Sequence, residues 1–506
     1  MCPYALSLMN TTLQTQMISG KFFSFYRTFL FLIVLVLQLT FASSLVAQAS
    51  RVNYISYDDA RPINEALEEI LPPSLRAKTR SELEAAWPGW VARRDAEIRA
   101  RLAQGDEDSL ANFVLFGTSY TNQPRLTAQQ LVQLGGEEKK PSASTSQKEP
   151  KAGTVLQARA DDLLRSLRNP GSNERLLFAR LVLADHKDYV LSTAAGRAQA
   201  KEFLLNSVVR LLSEHAAYAK ALEQARLLGN ASEEFAERSR LYRNRGLSSD
   251  TSLLPNFAIE ESLKAMQARG LFTAGSVRRV AVVGPGLDFT DKQEGYDFYP
   301  QQSIQPFAII DTLLRLGLSK DNNLQVTTFD LSPRVNHHLA GAVQRARRGL
   351  SYVLQLPRDP KAQWKPESIQ YWGRFGERIG NEATPVVVPA GAGDLNIRAV
   401  RVRPAVVSRL NVMDLNIVLQ RLESPPTERF DLIIATNILV YYDVFEQSLA
   451  LTNMEAMLRP GGFLLSNNAL LELPSSRMHS AGYLTVVYSA RPNDGDHIVW
   501  YQRKAD

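Results

Sequence analysis

The spacing of apolar residues divides the chain into two parts. Over residues 62–134 and again over 155–270, apolar residues recur every three or four positions, as on one face of an amphipathic helix. From Arg279 onward, short runs of β-branched residues alternate with helical segments instead. The pattern therefore predicts a helical region followed by an α/β domain with a mostly parallel sheet.

These patterns predict five segments. Residues 50–134 form a helical region, 155–270 a helical domain of bundled or paired helices, and 271–506 the α/β domain. Between the two helical parts, residues 135–154 lose apolar periodicity in favour of Lys, Glu, Ser and Pro, which is typical of a flexible linker. Residues 1–49 form a targeting segment.

Two details of the first helical region can also be predicted. Ser81 is a candidate N-cap, with Glu84 three residues later as its capping-box partner. Trp87 and Trp90 lie about one turn apart, and we expect them to anchor a core rather than to form a ligand cage.

The N-terminal 49 residues have the organisation of a secretory signal. Basic residues precede the apolar run 29–41, and Ala47-Gln48-Ala49 matches the small-x-small cleavage pattern. Residues 29–47 are also long enough to span a bilayer if the segment is not cleaved. Because the positive charges lie on the amino side of this run, both alternatives place the remainder outside the cytoplasm. The sequence thus predicts an exported (periplasmic or extracellular) or membrane-anchored bacterial protein.

Composition gives no indication of a nucleic-acid partner or a metal site. The net charge is only +6, from 58 basic and 52 acidic residues. The two signs are interleaved along the helices, so no nucleic-acid partner is predicted. Cys2 is the sole cysteine, and no two of the six histidines have metal-binding spacing with a third ligand nearby, so no metal site is predicted.

The candidate chemistry begins in the sequence RVAVVGPGLD, residues 279–288. A buried strand runs directly into Gly284 and Gly286, where a tight turn lets the backbone approach a ligand closely. A second strand ends at Asp330 and offers a carboxylate. Since open α/β sheets bind ligands at the carboxyl ends of their strands, we expect a nucleotide or nucleoside pocket there. The third glycine of the dinucleotide fingerprint, wanted near position 289, is absent, which disfavours a dinucleotide-binding dehydrogenase.

The sequence FDLIIATNILVYYDVFEQSLALTNMEAMLRPGGFLL, residues 430–465, resembles the corresponding stretch of the chemotaxis receptor (CheR-type) methyltransferases. SIQPFAIIDTLLRLG is similar to that family's helix after the first glycine loop, and the resemblance covers roughly residues 277–502. It implies a class I methyltransferase fold: a Rossmann-like α/β domain with a mostly parallel seven-stranded sheet and an antiparallel C-terminal hairpin, here preceded by an all-α domain. It also implies S-adenosyl-L-methionine as the cofactor.

The resemblance further implies which residues bind that cofactor. By position, Asp330 would accept hydrogen bonds from the ribose hydroxyls, Asp414 and Leu415 would flank the adenine, and Asn437 would line the methyl-transfer end. Asp288 would replace one of the acids that follow the family's glycine turn. The complete predicted set is Gly284, Gly286, Asp288, Asp330, Asp414, Leu415 and Asn437.

Two insertions depart from the family pattern. More than ten residues follow Asp288 where the family continues directly from its glycine turn. The second insertion, residues 356–409, contains a segment that predicts a β-hairpin turning at residues 391–394. This hairpin is either a lid or acceptor-binding flap, or a surface decoration.

In-line methyl transfer depends on positioning and on exclusion of water, so no catalytic triad is expected. The methyl acceptor, a protein or a small molecule, is not identified by the sequence. A protein carboxylate acceptor, as in the family resembled, would need its charge offset, with Arg334, Arg374 or Arg378 as candidates. The alternative is a catalytically inactive exported scaffold that binds partners in the cell envelope. The cofactor is made in the cytoplasm, so an exported enzyme would lack a supply of it.

Overall fold

The computed structural model describes residues 52–126, 131, 151–227, 242, 245–289, 296–491 and 494–505. From Tyr54 to the C-terminus, these residues belong to one compact unit. The predicted targeting segment and residues 135–150 of the predicted linker lie outside the described residues, whereas residues 152–154 already form the first turn of a helix. Within the described ranges, no helix is long and apolar enough to cross a membrane.

The helices of the described residues fall into two groups. Before the α/β sheet lie α1 (Tyr57–Ala66), α2 (Arg80–Phe116), α3 (Ala152–Ser166), α4 (Glu174–Leu181), α5 (Ala194–Leu227) and α6 (Leu254–Ala268). Between the strands lie α7 (Gln305–Arg315), α8 (Pro333–Arg347), α9 (Pro366–Arg374), α10 (Pro404–Val407) and α11 (Val444–Met457).

The strands follow the predicted division of the chain, apart from one short N-terminal strand. They are β1 (Val52–Tyr54), β2 (Arg279–Val283), β3 (Gln325–Asp330), β4 (Tyr352–Arg358), β5 (Gly380–Ala383), β6 (Asn396–Val402), β7 (Leu410–Asp414), β8 (Gln420–Leu422), β9 (Phe430–Ala435), β10 (Leu458–Ser466), β11 (Met478–Val487) and β12 (Gly495–Arg503).

The N-cap of helix α2 lies two residues before the predicted cap, Ser81. Thr79 is its N-cap: the Thr79 N–H donates to Glu82 Oε2 at 2.7 Å, and the Glu82 N–H donates to Thr79 Oγ1 at 3.4 Å. Ser81 therefore lies inside the first turn. The capping-box pattern occurs twice, as Thr79 with Glu82 and as Ser81 with Glu84, and the helix uses the first pair. Trp87 and Trp90 are buried and stack with ring centroids 5.0 Å apart, which confirms their predicted role as core anchors.

Among the described residues, the main sheet has seven strands in the order β7-β3-β2-β9-β10-β12-β11. Strands β7, β3, β2, β9 and β10 run parallel, and β12 is antiparallel to both β10 and β11. The chain thus ends in the predicted antiparallel hairpin on a mostly parallel sheet. Alternate apolar residues of the central strands, such as Val280 and Leu432, share one core with α6, α7 and α8.

The second insertion forms a sheet of its own. Strands β4, β6 and β5 pair antiparallel in that order, between α8 and β7. The antiparallel pairing of β5 with β6 matches the predicted hairpin, but its first strand is Gly380–Ala383 rather than the Val-rich run after it. The insertion also includes β4, which begins at Tyr352, before the predicted boundary at 356.

Candidate functional site

A cavity of about 630 Å³ lies where the parallel strands of the main sheet end. Its walls include the residues that follow β2, β9 and β10 and the last residue of β3. The carboxyl ends of parallel strands meet at one edge of a sheet, so the segments that leave them surround a common space. A cavity is therefore present at the predicted edge.

Five of the seven predicted site residues line this cavity. They are Gly284, Gly286, Asp330, Leu415 and Asn437. They come from four separate stretches of sequence, and the parallel order of β2, β3, β7 and β9 brings them together.

The glycine turn has the backbone conformation that its sequence requires. Gly284 and Gly286 have φ angles of +65° and +63°, a region that is costly for residues with a Cβ atom. A Cβ on Gly286 would lie 2.8 Å from the Ser249 carbonyl oxygen, and a Cβ on Gly284 would lie 2.2 Å from Ile438 Cδ1. The close approaches at both glycines are therefore made here by protein atoms, although a ligand was predicted to make them.

Asp330 is a buried carboxylate at the end of β3. The Ser332 N–H donates to its Oδ1 at 2.8 Å, and the Asn336 side chain donates to its carbonyl oxygen at 2.9 Å. Burial raises the pKa of Asp330 to about 6, against the lowering effect of the Ser332 and Gly286 backbone N–H groups. Because a carboxylate offers about four acceptor positions, Asp330 retains capacity to accept hydrogen bonds from ligand hydroxyls.

The remaining two predicted residues, Asp288 and Asp414, do not line the cavity. The buried Asp288 carboxylate accepts hydrogen bonds from Tyr299 Oη at 2.8 Å and Gln302 Nε2 at 2.9 Å, so it anchors the insertion that follows the glycine turn. The Asp414 carboxylate is held by two nitrogens of Arg99, at 2.7 and 3.0 Å.

Leu415 lines the cavity although its neighbour Asp414 does not. Consecutive side chains at the end of an extended strand point in different directions, so only one of the two can face the space above the sheet edge. Leu415 is buried and contributes an apolar wall.

Helix α2 covers the carboxyl edge of the sheet, which was not predicted. Arg99 reaches Asp414 after β7, and Arg94 Nε donates to Glu446 Oε1 on α11 at 2.7 Å. Leu102, on the same helix, lines the cavity itself. These contacts join residues more than 300 positions apart, and no local sequence pattern signals them.

A second part of the roof is the polar segment 247–252, LSSDTS, directly before α6. All six residues line the cavity. The Leu287 N–H donates to the Ser249 carbonyl oxygen at 2.7 Å, and the Thr251 N–H donates to the Leu287 carbonyl oxygen at 3.0 Å. The segment therefore lies on the glycine turn like an added strand. A run of Ser, Thr and Asp between two helical patterns was the available sequence signal.

The tip of the β11–β12 hairpin forms another wall, through Tyr488, Asp494, Asp496 and His497. Because β12 is antiparallel to β10, it begins at the edge where the parallel strands end. Asn467 links this tip to the turn after β9, since its Oδ1 accepts from the Asn437 N–H at 2.8 Å and its Nδ2 donates to Asp496 Oδ1 at 3.1 Å. The acidic loop RPNDGD is the sequence feature that could have indicated this wall.

The arginines suggested for offsetting an acceptor carboxylate lie outside the cavity lining. Arg374 pairs with Glu260, the Arg378 backbone N–H donates to Asp311, and the Arg334 guanidinium lies over the Phe178 ring. The described part of the chain also contains no group of three or more His, Cys, Asp or Glu side chains placed to hold a metal ion.

No protein-family model matches the sequence, and no curated protein matches it. Among solved structures, the CurJ carbon methyltransferase is similar over 84% of this chain and 98% of its own, at 14% identity and a TM-score of 0.23. Human N-acetylserotonin methyltransferase in complex with SAM is similar over 72% of this chain and 100% of its own, at 12% identity and a TM-score of 0.21.

The glycopeptide N-methyltransferase MtfA, complexed with S-adenosyl-L-methionine, is similar over 49% of this chain and 67% of its own, at 12% identity and a TM-score of 0.19. Because all three TM-scores are low, the fold assignment rests on the strand order of the main sheet.

Proposed function

We propose that this protein is a methyltransferase that uses S-adenosyl-L-methionine. The observation that carries the proposal is the position of Asp330. Its buried carboxylate lies beside the Gly284–Gly286 turn, in a cavity at the carboxyl edge of a parallel sheet that ends in an antiparallel hairpin. The MtfA and N-acetylserotonin methyltransferase structures contain this cofactor, which agrees with the proposal.

The residues of the cavity fit this cofactor in three respects. Asp330 can accept two hydrogen bonds from adjacent ribose hydroxyls. The apolar side chains of Leu102, Leu415 and Ile417 can form the wall against an adenine ring. The volume of about 630 Å³ lies within the roughly 300–1,000 Å³ typical of pockets that enclose small molecules.

The bound cofactor would supply an electrophilic methyl group, and the protein would supply position and a dry environment. Helix α2 and the segment 247–252 cover the strand ends, so they limit the access of water. Asn437, Asn467 and Asn468 would line the methyl-transfer end. Their amide groups can align an acceptor without acting as a strong base.

Kinship with the chemotaxis receptor methyltransferases remains a hypothesis. The cavity-lining residues lack the arginines that we expected to offset an acceptor carboxylate. The sequence between Asp288 and α7 also departs from that family's pattern. We therefore propose methyl transfer without a protein carboxylate as the assigned acceptor.

A catalytically inactive, exported scaffold is the second candidate function. One feature of the site favours it: the Ile438 side chain occupies the space above Gly284, where a ligand was predicted to approach the backbone closely. The predicted targeting segment is consistent with such a role, because an exported enzyme would be separated from the cytoplasmic supply of its cofactor.

Calorimetric titration of the full-length protein with S-adenosylmethionine and S-adenosylhomocysteine distinguishes the two candidates. We expect micromolar binding of both. Asp330→Asn should weaken it, whereas Asp321→Asn, the same change at the opposite edge of the sheet, should not. If a protein shown to be folded by circular dichroism binds neither compound, the methyltransferase proposal is wrong and the scaffold is favoured.

A further inference from the structure

We infer that the methyl acceptor is an amine, bound at the tip of the β11–β12 hairpin. This inference rests on the proposed function and names the substrate class of the same site. It differs from the carboxylate acceptor that the family resemblance implied.

The first observation is the charge of the cavity. Four aspartates line it: Asp250, Asp330, Asp494 and Asp496. Among the described residues, no lysine or arginine lines it, and His497 is the remaining basic side chain in the lining. Arg334, outside the lining, lies 4.0 Å from the Asp250 carboxylate, but one arginine does not balance four aspartates. The lining therefore stays negative, so it would repel a carboxylate acceptor and attract an ammonium group.

Two of these aspartates belong to the cofactor end. Asp330 is next to the glycine turn through the Gly286 backbone N–H. Asp250 pairs as a β-bridge with Leu287, and its Oδ2 accepts from Ser109 Oγ at 2.8 Å. The Asp250 backbone thus lies beside the turn, and its carboxylate is 4.0 Å from Arg334 Nη2, so part of its charge is balanced within the protein.

The other two aspartates lie at the acceptor end. Asp496 is joined to Asn437 through the Asn467 side chain, so its carboxylate is two hydrogen bonds from the proposed methyl-transfer end. The Tyr488 hydroxyl also donates to Asp496 and fixes its orientation. Asp494 lies on the same hairpin tip and lines the same wall.

A buried amide provides an independent indication of a ligand with N–H groups. Asn468 is only 5% exposed and lines the cavity. Its Oδ1 receives no hydrogen bond from any described residue. A buried acceptor without a donor destabilises the protein, so a ligand that donates there gains affinity. An amine has N–H donors for Asn468 and a positive charge for Asp496.

The transfer step balances without a further reactant. The bound ammonium loses a proton to His497 Nε2, and the free lone pair on nitrogen attacks the sulfonium methyl carbon. The carbon–sulfur bond breaks, and its electron pair stays on sulfur, which yields S-adenosylhomocysteine. The products are the N-methylated ammonium and one proton, which His497 passes to solvent.

His497 is the candidate for this proton transfer because it lines the cavity. Its Nδ1 lies 2.8 Å from Thr485 Oγ1. When Nδ1–H donates to that hydroxyl, Nε2 carries the free lone pair. Partial burial lowers the pKa of His497, which favours the neutral ring.

The test compares two probes of the same shape and opposite charge. The full-length protein is saturated with S-adenosylhomocysteine, and binding of 2-phenylethylamine and of 3-phenylpropanoate is measured by saturation-transfer difference NMR. We expect the amine to bind at least about tenfold more tightly than the carboxylate. Asp496→Asn should remove most of that preference while it keeps the hydrogen-bonding shape of the side chain.

Asp321→Asn is the matched control, because it removes the same charge at the amino edge of the sheet, where Asp321 pairs with Arg409. Asp494→Asn serves as the second variant if Asp496→Asn does not fold. Equal or stronger binding of the carboxylate, no binding of the amine, or an unchanged preference in both folded variants would overturn the inference.

Calorimetry on the same samples separates the two levels of the proposal. If S-adenosylhomocysteine binds and the amine is not preferred, the acceptor class is wrong and the proposed function stands. If S-adenosylhomocysteine does not bind, the proposed function fails, and the acceptor inference fails with it.

Discussion

Glu260 on α6 and Asp330 at the end of β3 are both buried carboxylates, but their electrostatic surroundings are opposite. Glu260 is fully buried and contacts three cations, Arg315, Arg374 and Lys264. Burial by itself raises the pKa of Glu260, yet these cations together hold it below its usual range. Asp330 forms no salt bridge with any described residue, and burial raises its pKa to about 6.

This difference distinguishes a charge that stabilises the fold from a charge that is available to bind a ligand. The Glu260 cluster joins α6, α7 and α9, and each of its charges is compensated within the protein. Asp330 has backbone N–H donors, and Arg334, which lowers its pKa, forms no salt bridge with it, so part of its hydrogen-bonding capacity is left for a ligand. Perturbed carboxylates of this second kind, inside a cavity, are typical of functional sites.

The largest expected effect is on folding, at Glu260. Glu260→Gln keeps the shape of the side chain but removes the shared anion of three partly buried cations. Arg315 keeps Asp311 and Lys264 keeps Glu261, whereas Arg374 loses its carboxylate partner. We expect the free energy of unfolding, measured by urea titration, to fall by about 3–5 kcal/mol. The control is Glu261→Gln, whose partner is the partly exposed Lys264, with an expected loss below about 1 kcal/mol. Similar losses in the two variants would show that the cluster is not a structural unit.

The next effect is on cofactor binding, at Asp330. Asp330→Asn retains the acceptor for the Ser332 N–H but removes the charge. We expect the affinity for S-adenosylmethionine to fall about 10- to 100-fold, since a hydrogen bond to a charged group contributes about 1.5–3 kcal/mol. The free energy of unfolding should not fall, because the variant no longer buries a charge. Loss of stability with unchanged affinity would make Asp330 a structural residue like Glu260.

The pH dependence sharpens the same contrast. Below its pKa of about 6, Asp330 is protonated and accepts fewer hydrogen bonds, so cofactor affinity should fall by up to about tenfold per pH unit. Calorimetry at pH 5 and pH 7.5 measures this, and Asp330→Asn should show no such dependence.

The contribution of Asp330 to stability has the opposite sign. Between about pH 4 and pH 6, the folded protein holds a proton that Asp330 has already lost in the unfolded chain. This contribution is therefore present at low pH and is lost as the pH rises through 6. Relative to Asp330→Asn, the wild type should therefore lose free energy of unfolding as the pH rises from about 4 to 6. Urea titrations of both proteins across this window measure the difference.

The smallest effect is expected at Asp414, the acid that the sequence placed beside the adenine. Its side chain is 51% exposed and pairs with Arg99. Asp414→Asn should change the free energy of unfolding by less than about 1 kcal/mol and leave the cofactor affinity unchanged. A tenfold loss of affinity in calorimetry would instead support the predicted role at the adenine.

The sequence pattern was sufficient to identify cavity-lining residues at the ends of buried strands. Gly284, Gly286, Asp330 and Asn437 directly follow or end buried strands, and all four line the cavity. Asp288 and Asp414 occupy similar positions in the sequence, but Tyr299 and Arg99 engage their carboxylates elsewhere. Sequence position alone does not show which partner a side chain meets, because that partner comes from a distant segment.

By itself, the sequence determined the α/β half, the strands that end in the glycine turn and in Asp330, and the closing hairpin. These features follow from local periodicity and from the conformational requirements of glycine. Tertiary structure alone decided that α2 and the segment 247–252 cover the cavity and that the hairpin tip adds acids to its wall. Those features depend on contacts between residues far apart in the chain, and such contacts leave no periodic pattern in the sequence around either partner.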